Sequence, residues 1–173
     1  TYGWWLLLLD GLLVGVLLGL AACGPSPREE ASDFVRYLPD EIGEWELDDG
    51  ATTELLSSTI TSMGHVILQY EGPDDALAYI VVEVYPSEDA AEVAMVDRER
   101  LLRLSGLTLE ADRAGQPTAQ VAQTETARLA VIQEGKFVVE VDALAAEGED
   151  PVSEEAFAEL LSIARNAFER LGD

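Results

Sequence analysis

The chain has 173 residues, and its 34 acidic and 10 basic side chains give a formal net charge of −24. That charge argues against nucleic acid or anionic lipid headgroups as direct partners, because both would be repelled. A single cysteine and a single histidine exclude an intrachain disulfide and a zinc or copper site built from clustered ligands. We therefore predict no metal and no cofactor.

An apolar run, residues 4–22, leads into the sequence Leu20-Ala21-Ala22-Cys23. Signal peptides have such an apolar centre with small residues at the cleavage point, and a cysteine thiolate is nucleophilic enough to take up a lipid. These four residues resemble the lipobox of prokaryotic membrane lipoproteins. The resemblance implies a lipidated Cys23 and a domain held at the cell membrane on its extracytoplasmic side. Residues 1–22 would be a signal peptide and residues 23–31 a lipidated tether.

The same segment also fits an uncleaved membrane-spanning helix. Its length is close to the roughly 20 apolar residues that cross a bilayer, and one charge, Asp10, is tolerable among so many leucines. Gly11, Gly15 and Gly19 recur every four positions, which places small residues on one helix face where another helix can pack. A cleaved leader and a retained helix both stay open at this point.

The first half of the domain predicts one short helix followed by strands. Residues 28–38 predict an amphipathic helix with Phe34 inward, and Trp45 is expected to anchor the core. Residues 51–61 slightly favour a strand, and residues 64–70 alternate with the strand period. Residues 76–85 are apolar on both faces, which predicts a central strand. One of its faces carries Ala78, Ile80, Val82 and Val84, and the other carries Tyr79, Val81, Glu83 and Tyr85.

The second half predicts a long helix, a hairpin and a closing helix. Ser87 is a good N-cap for a helix that runs to about Leu104, and Gly106 ends it. A strand over 107–111 and a loop over 112–120 follow. Strands over 126–133 and 136–144 flank a Glu134-Gly135 turn, and this turn would set Ile132 opposite Phe137. Ser153 caps the last helix, whose apolar side chains form one stripe: Phe157, Leu160, Leu161, Ala164, Phe168 and Leu171.

This order of elements predicts an α+β fold over residues 32–173, as a single extracytoplasmic domain. We expect an antiparallel sheet with two long helices packed on one face, a two-layer sandwich to which the N-terminal segment adds a possible third layer. The strand that ends in Val-Glu-Val-Tyr-Pro-Ser, the helix after it, the hairpin and the closing helix loosely resemble uncharacterised envelope lipoprotein domains. That resemblance supports the fold class alone.

Carboxylates are the abundant reactive groups, and we interpret their clusters as solvated surface. They are Glu44, Glu46, Asp48 and Asp49; Glu71, Asp74 and Asp75; and Glu147, Glu149, Asp150, Glu154 and Glu155. The one histidine, His65, is interpreted as a half-exposed strand residue rather than a member of a catalytic triad. We assign no catalytic residue.

The leading functional hypothesis is a non-catalytic binding or scaffolding lipoprotein of the cell envelope. Its candidate partner surface is Tyr79, Val81 and Tyr85, because exposed aromatics there would exceed what a monomer normally shows. A second hypothesis is an accessory subunit of an integral membrane complex, held by the intact first helix. A third is a hydrolase that uses paired carboxylates. The partners expected are the membrane, through the lipid or the helix, and another envelope protein.

Overall fold

The computed structural model describes residues 25–50, 53–55 and 64–171. Its helices are α1 (Pro27–Val35), α2 (Glu88–Leu104) and α3 (Glu154–Leu171). Its strands are β1 (Glu41–Ile42), β2 (Trp45–Leu47), β3 (Thr53–Leu55), β4 (Gly64–Glu71), β5 (Leu77–Val84), β6 (Glu110–Asp112), β7 (Ala119–Gln123), β8 (Ala127–Glu134) and β9 (Phe137–Leu144). A single 3₁₀ turn, Pro73–Asp75, joins β4 to β5.

The described strands form one antiparallel sheet. Their order is β1-β2-β4-β5-β9-β8-β7-β6, and β3 also pairs with β4. The strand predicted to be central, β5, lies between β4 and β9 and pairs with both along its whole length. Its position explains why its side chains are apolar in both directions, since each face of the sheet is covered at this strand.

One face of the sheet carries the main core, and α1 and α3 cover it; we call it the α1/α3 face. Ile80 and Val139 contribute from the strands, and Leu160 from α3 packs on them with no exposed surface. Three phenylalanines join the two helices to the sheet, with ring centroids of Phe34 and Phe168 5.0 Å apart and those of Phe34 and Phe137 5.9 Å apart. Trp45, the predicted anchor, is also buried in this core.

The opposite face of the sheet, which we call the α2 face, is also covered by a helix, and this changes the predicted fold class. The expected two-layer sandwich with both long helices on one face is wrong, because α2 packs against Tyr85, Val131 and Val138 while α3 packs on the other side. The fold therefore has three layers: α1 and α3, then the sheet, then α2. The physical reason is that the second face of β5, β8 and β9 is also apolar at its centre, so it has to be covered as well. The N-terminal helix α1 shares a layer with α3 and does not make the third layer.

Several local predictions are confirmed. Ser87 caps α2 by accepting a hydrogen bond from the Ala90 N–H, and α2 ends at Leu104 before Gly106, whose φ is +88°. The Ser153 hydroxyl accepts a hydrogen bond from the Ala156 N–H at the start of α3. The predicted stripe of α3 is buried, apart from Leu171, which is half-buried.

Other local predictions need correction. The hairpin exists, but Glu134 pairs with Phe137, so the turn is Gly135-Lys136 and Ile132 faces Val139 instead of Phe137. Strand β7, Ala119–Gln123, was not predicted. Helix α1 begins at Pro27, and Ala31 is fully buried, so residues 27–31 belong to the domain instead of to a tether.

Candidate functional site

A cluster of ionisable side chains lies under α2, and we call it the Arg98 cluster; its members are Glu83, Tyr85, Arg98, Glu140 and Asp142. The register of β5 and β9 pairs Val81 with Glu140 and Tyr79 with Asp142. Glu83 is two residues after Val81 on β5, so it projects to the same face as the two acids of β9. Helix α2 packs over these strands, and Arg98, in its third turn, reaches their carboxylates. A strand pair and a helix therefore assemble the cluster from three separate parts of the sequence.

Arg98 holds two of the three carboxylates. Its guanidinium donates to Glu83 Oε2 over 2.8 Å and also to Glu140 Oε2. The Tyr85 hydroxyl donates to the same Glu83 oxygen over 3.0 Å. Glu83 is only 3% exposed, which is rare for a glutamate and requires such partners.

The third carboxyl group, Asp142, has no cation of its own. Burial raises its pKa to about 7, and the neighbouring Glu140 charge and a hydrogen bond with Glu140 act in the same direction. Arg98 acts in the opposite direction, but more weakly. Because one guanidinium faces three carboxyl groups, the cluster retains a proton below neutral pH and loses it above.

His65 lies beside this cluster on β4, where it is paired with Glu83 across the strands. The residue is half-buried, as the sequence indicated, and neither ring nitrogen has a hydrogen-bond partner among the residues that the structure describes. Its interpretation as a non-catalytic strand residue stays a prediction.

A cleft of about 640 Å³ lies on the opposite side of the sheet, between the β6–β7 edge and α3; we call it the β6–α3 cleft. Apolar side chains form its floor, among them Val121, Phe157 and Leu161, and Glu110 and Glu154 stand exposed at its rim. Arg128 also lines the cleft; its Nε donates to the Val152 carbonyl oxygen over 2.6 Å, and its Nη2 lies 3.8 Å from Oε1 of Glu154. The edge strand is held by α3, since the buried Arg165 pairs with Asp112 over 3.1 Å.

The sequence-predicted sites are only partly brought together. Tyr85 is 4% exposed and packs under α2, so it cannot belong to a free partner surface, whereas Tyr79 and Val81 are half-buried on the α2 face. The three predicted acid clusters lie at the surface, with Asp48 alone half-buried among them. No group of three potential metal ligands occurs among the described residues.

The predicted lipidation residue and the glycines predicted to pack against another helix lie outside the described residues. These are Cys23, Gly11, Gly15 and Gly19. Within residues 25–50, 53–55 and 64–171, no helix is long and apolar enough to cross a membrane.

Sequence reasoning missed the Arg98 cluster. A signal was present: Glu83 interrupts the most apolar strand of the chain, and Glu140 and Asp142 alternate with valines. An acid inside an apolar strand has to be paired or protonated. The missing information was the position of Arg98, which only the docking of α2 reveals.

Comparison with known proteins gives no family. No protein-family model matches the chain, and no curated protein matches it. Among solved structures, the extracellular domain of PknH from Mycobacterium tuberculosis superposes with a TM-score of 0.42 at 13% sequence identity. The superposition covers 82% of this chain and 91% of that one. A likeness of this size carries no argument about function.

Proposed function

We propose that the protein is a membrane-anchored extracytoplasmic lipoprotein whose domain binds or scaffolds another component of the cell envelope without catalysing a reaction. One observation carries the proposal: residues 24 and 25 alone separate Cys23 of the lipobox-like sequence from Ser26, the N-cap of α1. Ser26 and Glu29 form a reciprocal capping box, and Phe34 in the same helix is fully buried. The folded core thus begins almost at the anchor.

So short a connection restricts where the domain can be. The chain from Cys23 to Ser26 spans at most about 10 Å when fully extended. The domain is therefore kept at the membrane surface, while the net charge of −24 on the full chain, almost all of it in the domain, disfavours direct contact with anionic headgroups. A protein that is held at a bilayer and repelled by it is suited to contact other envelope proteins.

The β6–α3 cleft is the binding site that we assign to this function. Its apolar floor and the exposed Glu110 match an apolar segment of a partner that carries a lysine or arginine, whereas Glu154 already pairs with Arg128 over 3.8 Å. The net charge of the domain favours the same kind of partner.

The arrangement of the acids supports a binding role over hydrolysis. Glycosidases hold their two carboxyl groups about 5–10 Å apart so that substrate and water fit between them. Asp142, the group with the raised pKa, is instead joined to Glu140 directly by a hydrogen bond, and both lie under α2. The Arg98 cluster therefore leaves no room for a glycosidic bond between these two groups.

Intact-mass spectrometry of the protein extracted from membranes tests the anchor. We expect a chain that begins at Cys23 and carries acyl chains, and a Cys23→Ser variant or globomycin treatment should abolish this product. A mass that retains residues 1–22 would instead favour the accessory-subunit hypothesis, in which Gly11, Gly15 and Gly19 pack against another helix. Unchanged processing of Cys23→Ser would refute the lipoprotein proposal.

The cleft is tested by co-purification from detergent-solubilised membranes. Ala158 is exposed on α3 and lines the cleft, so Ala158→Trp should fill it and remove the co-purifying protein. Asn166→Trp, exposed on the same helix but outside the cleft lining, is the matched control. Recovery of this chain alone, with wild type and variants, would refute the binding role.

A further inference from the structure

Helix α2 has apolar side chains on both sides: Met95 and Leu102 are partly buried against the sheet together with its alanines, and a second set of large side chains is exposed. Ala91 is fully buried, and Ala90 and Ala94 pack beside it against the sheet. The outer side carries four large side chains that are highly exposed: Val93 (63%), Val96 (64%), Leu101 (64%) and Leu104 (74%). Elsewhere in the described residues only Tyr37 and Leu144 are exposed large hydrophobics, at 36% and 38%. We call these four residues the α2 stripe.

We propose that the α2 stripe is the contact surface for a second copy of this chain, with the two α2 helices antiparallel. The spacing of the stripe is symmetric about the point midway between Arg98 and Glu99. A two-fold axis at that point places Val93 level with Leu104 of the second copy, and Val96 level with its Leu101. Each apolar residue of the stripe therefore has an apolar counterpart, as an isologous interface requires.

The charges on the same side of the helix obey the same symmetry. Asp97 and Arg100 are both exposed, and the two-fold axis places Asp97 level with Arg100 of the second copy. The pairing therefore forms two equivalent ion pairs at the centre of the contact, and a parallel arrangement would not form them. Complementary charges at the centre fix the register of the two helices.

A second copy fits the stripe better than the bilayer does. The α2 face is opposite the α1/α3 face, and α1 leads directly to the proposed anchor at Cys23. The sheet and α2 itself lie between the start of α1 and the stripe, and a tether of about 10 Å is too short to let the stripe lie on the same membrane. This exclusion of the bilayer rests on the proposed function, whereas the helix pairing does not.

The expected affinity is modest. One helix pair is smaller than a standard protein–protein interface of about 1,600 Å², so we expect a dissociation constant in the micromolar range. Two chains of net charge −24 repel each other at long range. Salt screens this repulsion with a Debye length of about 8 Å at 0.15 M, and we therefore expect association to strengthen between 0.05 and 0.5 M NaCl.

Sedimentation equilibrium of the full chain in nonionic detergent measures the association. Leu104→Glu should raise the dissociation constant at least about tenfold by burying a charge in the contact. The same change at Leu144, an exposed leucine on β9, is the control and should have no effect. Circular dichroism verifies that both variants are folded.

Charge exchange tests the pairing without removing apolar surface. Asp97→Arg alone and Arg100→Asp alone should each weaken association. Mixing the two single variants should restore it, because each mixed pair again places opposite charges across the contact. Pairing of Asp97 with Arg100 within one helix cannot produce this recovery, which separates the intermolecular effect from an effect on helix stability.

Disulfide crosslinking tests the register, in a Cys23→Ser background that has no other cysteine. Arg100→Cys should crosslink to itself, since the two positions are about 4.5 Å apart along the axis. Val93→Cys alone should not, because its two copies are about 16 Å apart along the axis. A mixture of Val93→Cys and Leu104→Cys should crosslink as a heterodimer.

Three results would overturn the proposal. The first is a chain that stays monomeric up to millimolar concentration. The second is association that neither Leu104→Glu nor the charge variants alter, or crosslinks in another register. The third is Leu104-dependent binding of the monomer to phosphatidylglycerol vesicles, which would assign the stripe to the bilayer.

Discussion

Replacing Arg98 by Met removes the positive charge that Glu83 and Glu140 share under α2, while a methionine retains most of the apolar stem that packs there. The side chain of Glu83 is 4% exposed, and those of Glu140 and Arg98 are 19% and 25% exposed. The substitution therefore leaves two carboxylates, and the adjacent Asp142, without a counter-charge in a largely closed space.

The magnitude follows from the burial of the partners. Removing one member of a buried ion pair costs about 3–5 kcal/mol, and the partial exposure of Arg98 and Glu140 places this case near about 3 kcal/mol. For a domain of this size each kcal/mol lowers the melting temperature by about 2–4 °C, so we expect a loss of about 6–12 °C at pH 8.

The assay is urea denaturation of the full chain in nonionic detergent, followed by circular dichroism at pH 8 and pH 4. At pH 4 Asp142 carries its proton in the folded state, because its pKa is raised to about 7, so one carboxyl charge fewer is left uncompensated and the difference between wild type and variant should be smaller than at pH 8. Arg103→Met, an exposed arginine on the same helix, is the matched control and should cost under about 0.5 kcal/mol.

Two outcomes would refute this reasoning. One is an Arg98→Met penalty at pH 8 no larger than that of Arg103→Met. The other is a penalty that persists unchanged at pH 4, which would attribute the loss to packing and not to charge.

Three further predictions concern the same fold. The raised pKa of Asp142, about 7, means that the native state holds a proton that the unfolded state releases near pH 4, so stability falls as the pH rises from 4 to 7. Asp142→Asn should remove this fall and gain on the order of 2 kcal/mol at pH 8, with no gain at pH 4, in urea titrations. Leu160→Ala should cost about 3 kcal/mol, because the side chain is fully buried; a loss under about 1 kcal/mol would contradict the packing of α3. Gly64→Ala should lower the melting temperature more than Gly50→Ala, because a Cβ at position 64 would collide with the Pro27 carbonyl oxygen. Equal effects of the two substitutions would contradict the packing of α1 against β4.

The elements that the sequence predicted well depend on local chemistry. Ser87 and Ser153 cap their helices because a hydroxyl can reach an N–H three residues along, which needs no tertiary information. The alternating apolar residues of β4 likewise indicate a strand by themselves.

The side of the sheet on which α2 packs could not be predicted in the same way. Some of its large apolar residues, such as Leu101, point outward, while Met95 and Leu102 pack toward the sheet, so apolar side chains on both sides of this helix do not indicate its layer. Its one fully buried residue, Ala91, lies against Tyr85 and Val131. Strand β7 was missed for a related reason: its Ala and Gln residues have weak strand propensity, and pairing with β8 determines its conformation.

The Arg98 cluster was missed because its parts are far apart in the sequence. Glu83, Arg98 and Glu140 come from β5, α2 and β9, and an acid within an apolar strand does not by itself indicate which cation pairs with it. The β6–α3 cleft was also beyond sequence reasoning, since its shape depends on the fixation of β6 by Arg165.

The seat of α1 has a mechanical consequence for a protein pulled at its N-terminus. The carbonyl of Pro27 lies over Gly64 at the start of β4, and Lys136 at the hairpin turn forms an ion pair with Glu30, with Nζ and Oε1 2.6 Å apart. Tension on the leading residues would therefore have to break this ion pair and pull the buried Phe34 out of the core before α1 could separate from the sheet.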